Sequence, residues 1–183
     1  RLYLRERVVA ILELLEAVAT PLMKRADERA AQLMPGYTHY QPAMPTTVGM
    51  WLHAYAEWTL AAIRQGVQLL DTIDSNPLGA ASGFGVPLPL NRALVAEQLG
   101  FSRVQRNPIE VQNSRGRHEL LVARWISDIG SIVEKFACDM VLYTTREFGF
   151  FSLPNSFTTG SSIMPQKHNP DVLELLRARA AKL

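Results

Sequence analysis

A single cysteine, Cys138, is all the thiol in this 183-residue sequence. No disulfide can close within the chain, and the composition fits a reducing, cytoplasmic setting. The thiol lies in an apolar helical run, which reads as a small buried hydrophobe and not as a nucleophile. No stretch of eighteen uninterrupted apolar residues occurs, so no helix is expected to span a membrane. No basic segment leads into an apolar run ending in small residues, the pattern of a secretory signal. Excess charge is also missing: 19 Lys and Arg oppose 17 Asp and Glu, for a net +2. Without a basic run or basic-aromatic interleaving, nucleic acid is not an expected partner. His53 and His118 have no second ligand at metal spacing, so a zinc site is not expected. Gly79, Gly83 and Gly85 do not form G-x-G-x-x-G, and Pro87 and Pro89 stand where its helix would begin. There is no Walker sequence, no G-x-S-x-G elbow and no catalytic Cys/His pairing. Neither a metal nor an organic cofactor is expected.

What remains is an ordinary globular composition, 48% hydrophobic and 20% charged, with enough chain for one sizeable core. Residues 1 to about 33 read as an amphipathic helix, kinked or interrupted near Pro21. "MPGYTHYQPAMP" follows, where Pro35, Gly36, Pro42 and Pro45 argue against regular structure. Thr46 or Thr47 can cap a long helix to about Asp74. A Gly/Pro-rich connection and a short helix, about 90–99, precede a second long helix over about 114–148. Asn169-Pro170-Asp171 has the form of a cap, an N1 proline and an early acid for the last helix. No period-2 alternation marks a strand, so the fold class is all-α, a bundle of long helices.

At about 1.5 Å per residue the two long helices would each measure roughly 45 Å or more. Both carry only a thin polar stripe, which on the first comprises Gly49, His53, Glu57, Arg64, Gln68 and Asp71. A helix apolar nearly all round needs neighbours on several sides, supplied by other subunits or by further parts of the same chain. The sequence opens inside a helical pattern at Arg1 without an initiator Met and closes on "LLRARAAKL" without a stop signal. It therefore reads as the central part, 1–183, of a longer protein.

Two stretches have the inventory for chemistry. The first is the connection from Gly149 to Asn169, which contains "FTTGSSIMPQKHNP". Connections of about twenty structureless residues are uncommon inside compact domains and usually functional or disordered. From residue 157 on it gathers Ser161, Ser162, Lys167 and Asn169 with no Asp or Glu, and it ends at a helix N-terminus. That combination suits an acidic small molecule, although a solvated surface loop has the same composition. The second is "GYTHYQPAMP", where His39 sits between Thr38 and Gln41 on a proline-restricted backbone. Such a histidine can be a positioned acid or base, or merely structural.

"GSSIMPQKHN" matches G-S-S-x-M-P-x-K-x-N and resembles the signature of the fumarase/aspartase superfamily. At roughly one in twenty per position, seven fixed residues match by chance about 10⁻⁹ of the time per start. "GYTHYQPAMP" resembles that superfamily's second shared region. The flanks "PGYTHYQPAMP", "PQKHNPDVLELLRARA" and "NPLGAASGFGVPLPLNRALVAEQLGF" are similar to the argininosuccinate lyase branch, so the resemblance covers nearly the whole chain.

The resemblance implies a cofactor-free β-elimination of argininosuccinate to arginine and fumarate, as in arginine biosynthesis. It implies a long-helix bundle in a homotetramer whose sites are each shared between subunits. By position, Ser161 corresponds to the general base, and Lys167 and Asn169 to the residues that hold the carboxylate and spread its charge. His39 corresponds to the group that helps protonate the leaving nitrogen, and Glu174 to the carboxylate paired with it. Thr38, Gln41, Ser162 and Met164 fall at substrate-binding positions. Where many argininosuccinate lyases carry Ser-Asp-Arg-Asp, this chain has Asn113-Ser114-Arg115-Gly116-Arg117, and Arg115 is the nearest equivalent of the substrate-proximal arginine. His168 fills an open position of the signature and takes no role. The first shared region is absent from these 183 residues, which alone are expected to be inactive. Two alternatives stay open: a sibling lyase releasing fumarate from another substrate, or a silent crystallin-like scaffold with the same bundle.

Overall fold

A computed structural model describes all 183 residues. Its α-helices, α1 to α6, are Leu2–Glu28, Val48–Ile73, Arg92–Gln98, Pro108–Asn113, Arg117–Tyr143 and Asp171–Ala180. Strands β1 (Leu33–Thr38) and β2 (Gln41–Thr47) form an antiparallel hairpin, and the two-residue strands β3 (Ser75–Asn76) and β4 (Arg103–Val104) pair in parallel. Helix dominates, as the periodicity predicts.

The helix ends follow local chemistry. α1 runs through Pro21 as one element and stops at Glu28, short of residue 33. Thr47 caps α2: its Oγ1 accepts from the Met50 N–H at 3.0 Å. α5 is shorter than the expected 114–148. It starts after Gly116, in the left-handed region at φ +79°, and ends at Tyr143. There the hydroxyls of Thr144 and Thr145 donate to the carbonyls of Met140 and Leu142, both at 2.8 Å, offering the chain a competing turn. At 26 and 27 residues, α2 and α5 measure about 40 Å each, somewhat under the expected length.

Two expectations need correction, and one helix is unforeseen. "MPGYTHYQPAMP" is not irregular: it is the hairpin. A two-stranded ribbon has only edges, and edges tolerate proline, so Pro35 can stand opposite Pro45. The register shifts between Pro35 and Tyr37, and at that bulge a Cβ on Gly36 would lie 2.7 Å from the Met44 carbonyl oxygen. α4 is an element that periodicity does not predict, although Asn107-Pro108 carries its signal: Asn107 Oδ1 accepts from the N–H groups of Ile109 (2.9 Å) and Glu110 (3.2 Å). The similar Asn169-Pro170 does not cap. The residue at the cap of α6 is Pro170, with no side-chain bond, because both backbone groups of Asn169 are held by Thr159.

The chain divides into two compact units, and α1, α2 and α5 each contribute to both. The first contains Arg1–Leu14 and Ile63–Trp125. Its irregular connections are tied by two arginines. Arg92 donates to the carbonyls of Leu78 (2.9 Å), Arg106 (3.1 Å) and Gln105 (2.7 Å). Arg1 donates to Ser75 and Gln105 beside the buried His118. Burial pushes the His118 pKa down, and the Arg1 charge adds to the effect.

The second unit contains Leu15–Ala62 and Ile126–Leu183. Gly49 sits in a close contact with the end of α1. Placed in the polar stripe by periodicity, it is in fact buried. A Cβ there would stand 2.5 Å from the Ala26 carbonyl oxygen and 2.6 Å from Ala30 Cα. These neighbours are backbone and cannot rotate away. Gly49→Ala is expected to destabilise the protein by about 2 kcal/mol through overpacking, read as a lower urea midpoint with an unchanged m-value. A neutral Gly49→Ala would mean that α1 and α2 can part at this point without cost.

Candidate active site

All catalytic candidates lie in the second unit, on the hairpin, on the signature loop and on the helix that follows the loop. The first is the hairpin tip. Thr38 pairs with Gln41, so His39-Tyr40 is a two-residue turn, with φ +53° and +57°. Positive φ at both central residues is the type I′ geometry, which usually selects Asn-Gly. A non-glycine residue in this region costs roughly 1–2 kcal/mol, so the tip is held against local preference. Thr38, His39 and Gln41 are exposed.

The second is the signature loop. Thr159 and Asn169 exchange backbone hydrogen bonds at 2.8 and 3.1 Å, closing the base around residues 160–168. Arg146 Nη2 donates to the Gln166 carbonyl at 2.8 Å, and the Lys167 N–H to the Met164 carbonyl at 2.9 Å. The side chains of Ser161, Ser162, Lys167 and Asn169 have no partner within the chain, and the N–H groups of residues 160–163 have no acceptor. Ser161 and Asn169 are half-buried, while Ser162, Met164 and Lys167 are exposed.

Glu174 stands in the first turn of α6, where it and Asp171 face the positive end of the helix dipole. With Arg146, Thr158 and His168 it lines a cleft of about 710 Å³; Ser161 and Lys167 are outside that lining. No ion pair joins His39 to Glu174 within the chain. Arg115 belongs to the first unit, in the turn between α4 and α5, and is exposed.

Aromatic side chains give the hairpin and the loop a common support. The Tyr37 ring packs on Phe148 and Phe150, with centroids 5.0 and 6.1 Å away. Tyr143 continues the cluster, 5.3 Å from Phe150, and Trp51 lies 5.7 Å from Tyr143 and 5.2 Å from Phe151. The backbone is fixed as well, since the N–H groups of Phe150 and Phe151 both donate to the Tyr143 carbonyl, at 3.0 and 3.2 Å. Behind this wall lies Asp139, which accepts from Trp51 Nε1 (3.1 Å), Tyr55 Oη and Lys135 Nζ (2.6 Å). Burial, followed by the Asp139 bond, pushes the Tyr55 pKa well above its ordinary range. The same carboxylate raises the Lys135 pKa. Sequence alone does not reveal this cluster: "FGFF" is visible as a run, but nothing local marks Tyr37 or Trp51 as its partners.

A mostly helical chain with a pinned, donor-rich loop defines the class, and comparison agrees. A family model described as "Lyase" (Lyase_1) matches residues 1–183, and the chain belongs to that family. It is 43% identical over 186 residues to the argininosuccinate lyase of Xanthomonas oryzae pv. oryzae (strain PXO99A), covering 100% of this chain and 42% of that protein. The chain thus spans about two fifths of the length of the curated relatives it matches. Among solved structures, EDDS lyase in complex with formate matches with a TM-score of 0.92 at 31% identity, over 99% of this chain and 36% of that one. The fumarate lyase:delta crystallin from Brucella melitensis, bound to cobalt, matches at 0.81 and 22% identity, over 99% and 41%. At that identity the likeness shows the fold alone, the helical bundle of the fumarase/aspartase type.

Proposed function

We infer that the full-length protein is an argininosuccinate lyase, forming arginine and fumarate without a cofactor. The observation that carries this reading is the loop 160–168: closed at its base, free of carboxylates, with its hydroxyl, ammonium and side-chain amide donors and the N–H groups of residues 160–163 unpaired within the chain. The reaction needs such a place. Taking a proton from the carbon beside a carboxylate puts a second negative charge on that carboxylate. Donors already oriented toward it stabilise the doubly charged species without reorganising.

In this mechanism Ser161 Oγ, deprotonated under the influence of Lys167 and the loop N–H groups, takes the proton. Lys167 and Asn169 hold the aci-carboxylate, with Ser162 and Thr38 beside it. The carbon–nitrogen bond then breaks, its electron pair leaves with the guanidinium nitrogen, and His39 supplies the proton that completes arginine. Glu174 is the carboxylate that pairs with His39 and orients it. Gln41 and Met164 shape the substrate site, and Arg115 remains the nearest equivalent of the substrate-proximal arginine. Since His39 and Glu174 do not meet within one chain, their pairing fits sites shared between copies in a homotetramer. Large apolar residues left exposed on α1 (Leu14, Val18) and α2 (Met50, Val67) favour such an assembly. The single thiol, half-buried Cys138, suits a cytoplasmic protein.

The fit to EDDS lyase, at a TM-score of 0.92, favours a second reading: a sibling lyase that splits another amine-bearing dicarboxylate. Fumarate formation by the full-length protein, followed by ultraviolet absorbance, decides between them. Argininosuccinate is expected to be turned over, and adenylosuccinate, aspartate, malate and EDDS to be inert. Turnover of another compound and not argininosuccinate would establish the sibling reading. Silence with every substrate would leave the scaffold alternative.

A further inference from the structure

We propose that Tyr37 is a positioning residue, fastening the hairpin tip that bears His39 to the same aromatic wall from which the signature loop departs. The inference rests on the lyase reading for its kinetic consequence, though not for its structural one. β2 is largely exposed along its length, so the ribbon gains little from that strand. Isolated two-stranded ribbons are marginal in water. β1 provides the anchorage: Met34 is buried near its start and Tyr37 packs on Phe148 and Phe150 near its end. These residues are three apart, an odd step that would place them on opposite faces of a regular strand. The register shifts between Pro35 and Tyr37, where two residues of β2, Ala43 and Met44, face the single residue Gly36; such a bulge bends the ribbon and increases its twist, so strict alternation does not carry through to Tyr37, whose ring lies on Phe148 and Phe150. Two residues further on, the left-handed turn presents His39.

The wall serves the loop as well. Phe148 and Phe150 flank Gly149, whose N–H donates to the Thr145 carbonyl at 2.8 Å, and Phe151 follows directly. Ring contact at Tyr37 thus sets the stance of the hairpin tip on the element from which the loop carrying Ser161 and Lys167 runs. The phenol oxygen of Tyr37 has no hydrogen bond within the chain, so the ring is the part that matters.

The test uses the full-length protein. For Tyr37→Leu, kcat for fumarate release is expected to fall about a hundredfold, the scale of an ångström-sized misplacement, with KM within about threefold. Tyr37→Phe, which keeps the ring, should restore kcat to within about threefold. Phe148→Leu should reproduce the loss, and the double variant should be no worse than either single one, because both remove one contact. Amide exchange at residues 38–41 should accelerate at least about tenfold in Tyr37→Leu, while α2 and α5 keep their protection. A wild-type kcat in Tyr37→Leu, failure of Tyr37→Phe to rescue, or additive losses would overturn the proposal. If the wild-type protein releases no fumarate from any substrate, the lyase reading fails. Exchange at the tip then decides alone, unchanged rates in Tyr37→Leu refuting the tether and faster ones supporting it.

Discussion

Ser161→Ala in the full-length protein is expected to lower kcat for fumarate release by more than about a thousandfold while fold and assembly survive. The two halves of this expectation have separate grounds. Ser161 Oγ has no hydrogen-bond partner within the chain and sits half-buried on a loop whose base is closed by Thr159 and Asn169. Its removal therefore opens no cavity in the helical core and orphans no buried group, so unfolding free energy should change by no more than about 0.5 kcal/mol. Loss of a positioned proton acceptor is worth on the order of 10²–10⁴ by itself. Here the same oxygen lies among the donors that would hold the intermediate, which places the effect toward the upper end. KM should move little, because a group that acts on the proton in flight contributes little to ground-state binding. Kinetics of the variant beside its sedimentation profile check both halves. Near-normal turnover would remove Ser161 from the role of base, whereas a dissociated or unfolded variant would show that the loop is structural.

The part of this site that is legible in the sequence is the part written in residue types. Ser161, Lys167 and Asn169 announce themselves because hydroxyl, ammonium and amide groups collect in 157–170 where no carboxylate opposes them. α2 and α5 are equally readable, since an apolar period near 3.6 sustained through 26 and 27 residues fits a helix and no strand. What stays hidden is contact between distant segments. β1 and β2 carry three prolines in thirteen strand residues, and local preference argues against strands there; pairing and the Tyr37 contact override it. Gly49 reads as part of a polar stripe until α1, through the Ala26 carbonyl oxygen, comes within 2.5 Å of where its Cβ would be. Asn107 and Asn169 precede proline alike, yet only the first caps a helix, because the second is already committed to Thr159. In each case a tertiary contact makes the decision.

The second large effect is expected at Asp139, which sequence periodicity leaves unremarked. The carboxylate, 18% exposed, accepts from the indole N–H of Trp51 and the hydroxyl of Tyr55, and from Lys135 at 2.6 Å. Asp139→Ala leaves the first two donors without a partner in the interior. At about 1–3 kcal/mol for each buried group so orphaned, the full-length protein should lose about 3–4 kcal/mol. Lys135 adds little, since its side chain is 58% exposed. Asp139→Asn, which retains an acceptor oxygen, should lose about 1 kcal/mol. The pH dependence gives an independent check. Burial first, then the bond to Asp139, raises the Tyr55 pKa; burial first, then the Asp139 charge, raises that of Tyr143; and the Asp139 bond raises that of Lys135. All three groups hold their protons more tightly folded than unfolded, so the stability they contribute is complete below about pH 10 and falls as pH rises beyond it. Urea midpoints at pH 8, 10 and 11 should therefore decline across the last two, and less steeply in Asp139→Asn, where the charge that raises all three is gone. Burial still acts on both tyrosines in that variant, so some decline must persist. An Asp139→Ala variant within about 0.5 kcal/mol of wild type, or a wild-type midpoint flat to pH 11, would show that Asp139 does not secure the wall on which the hairpin and the loop both rest.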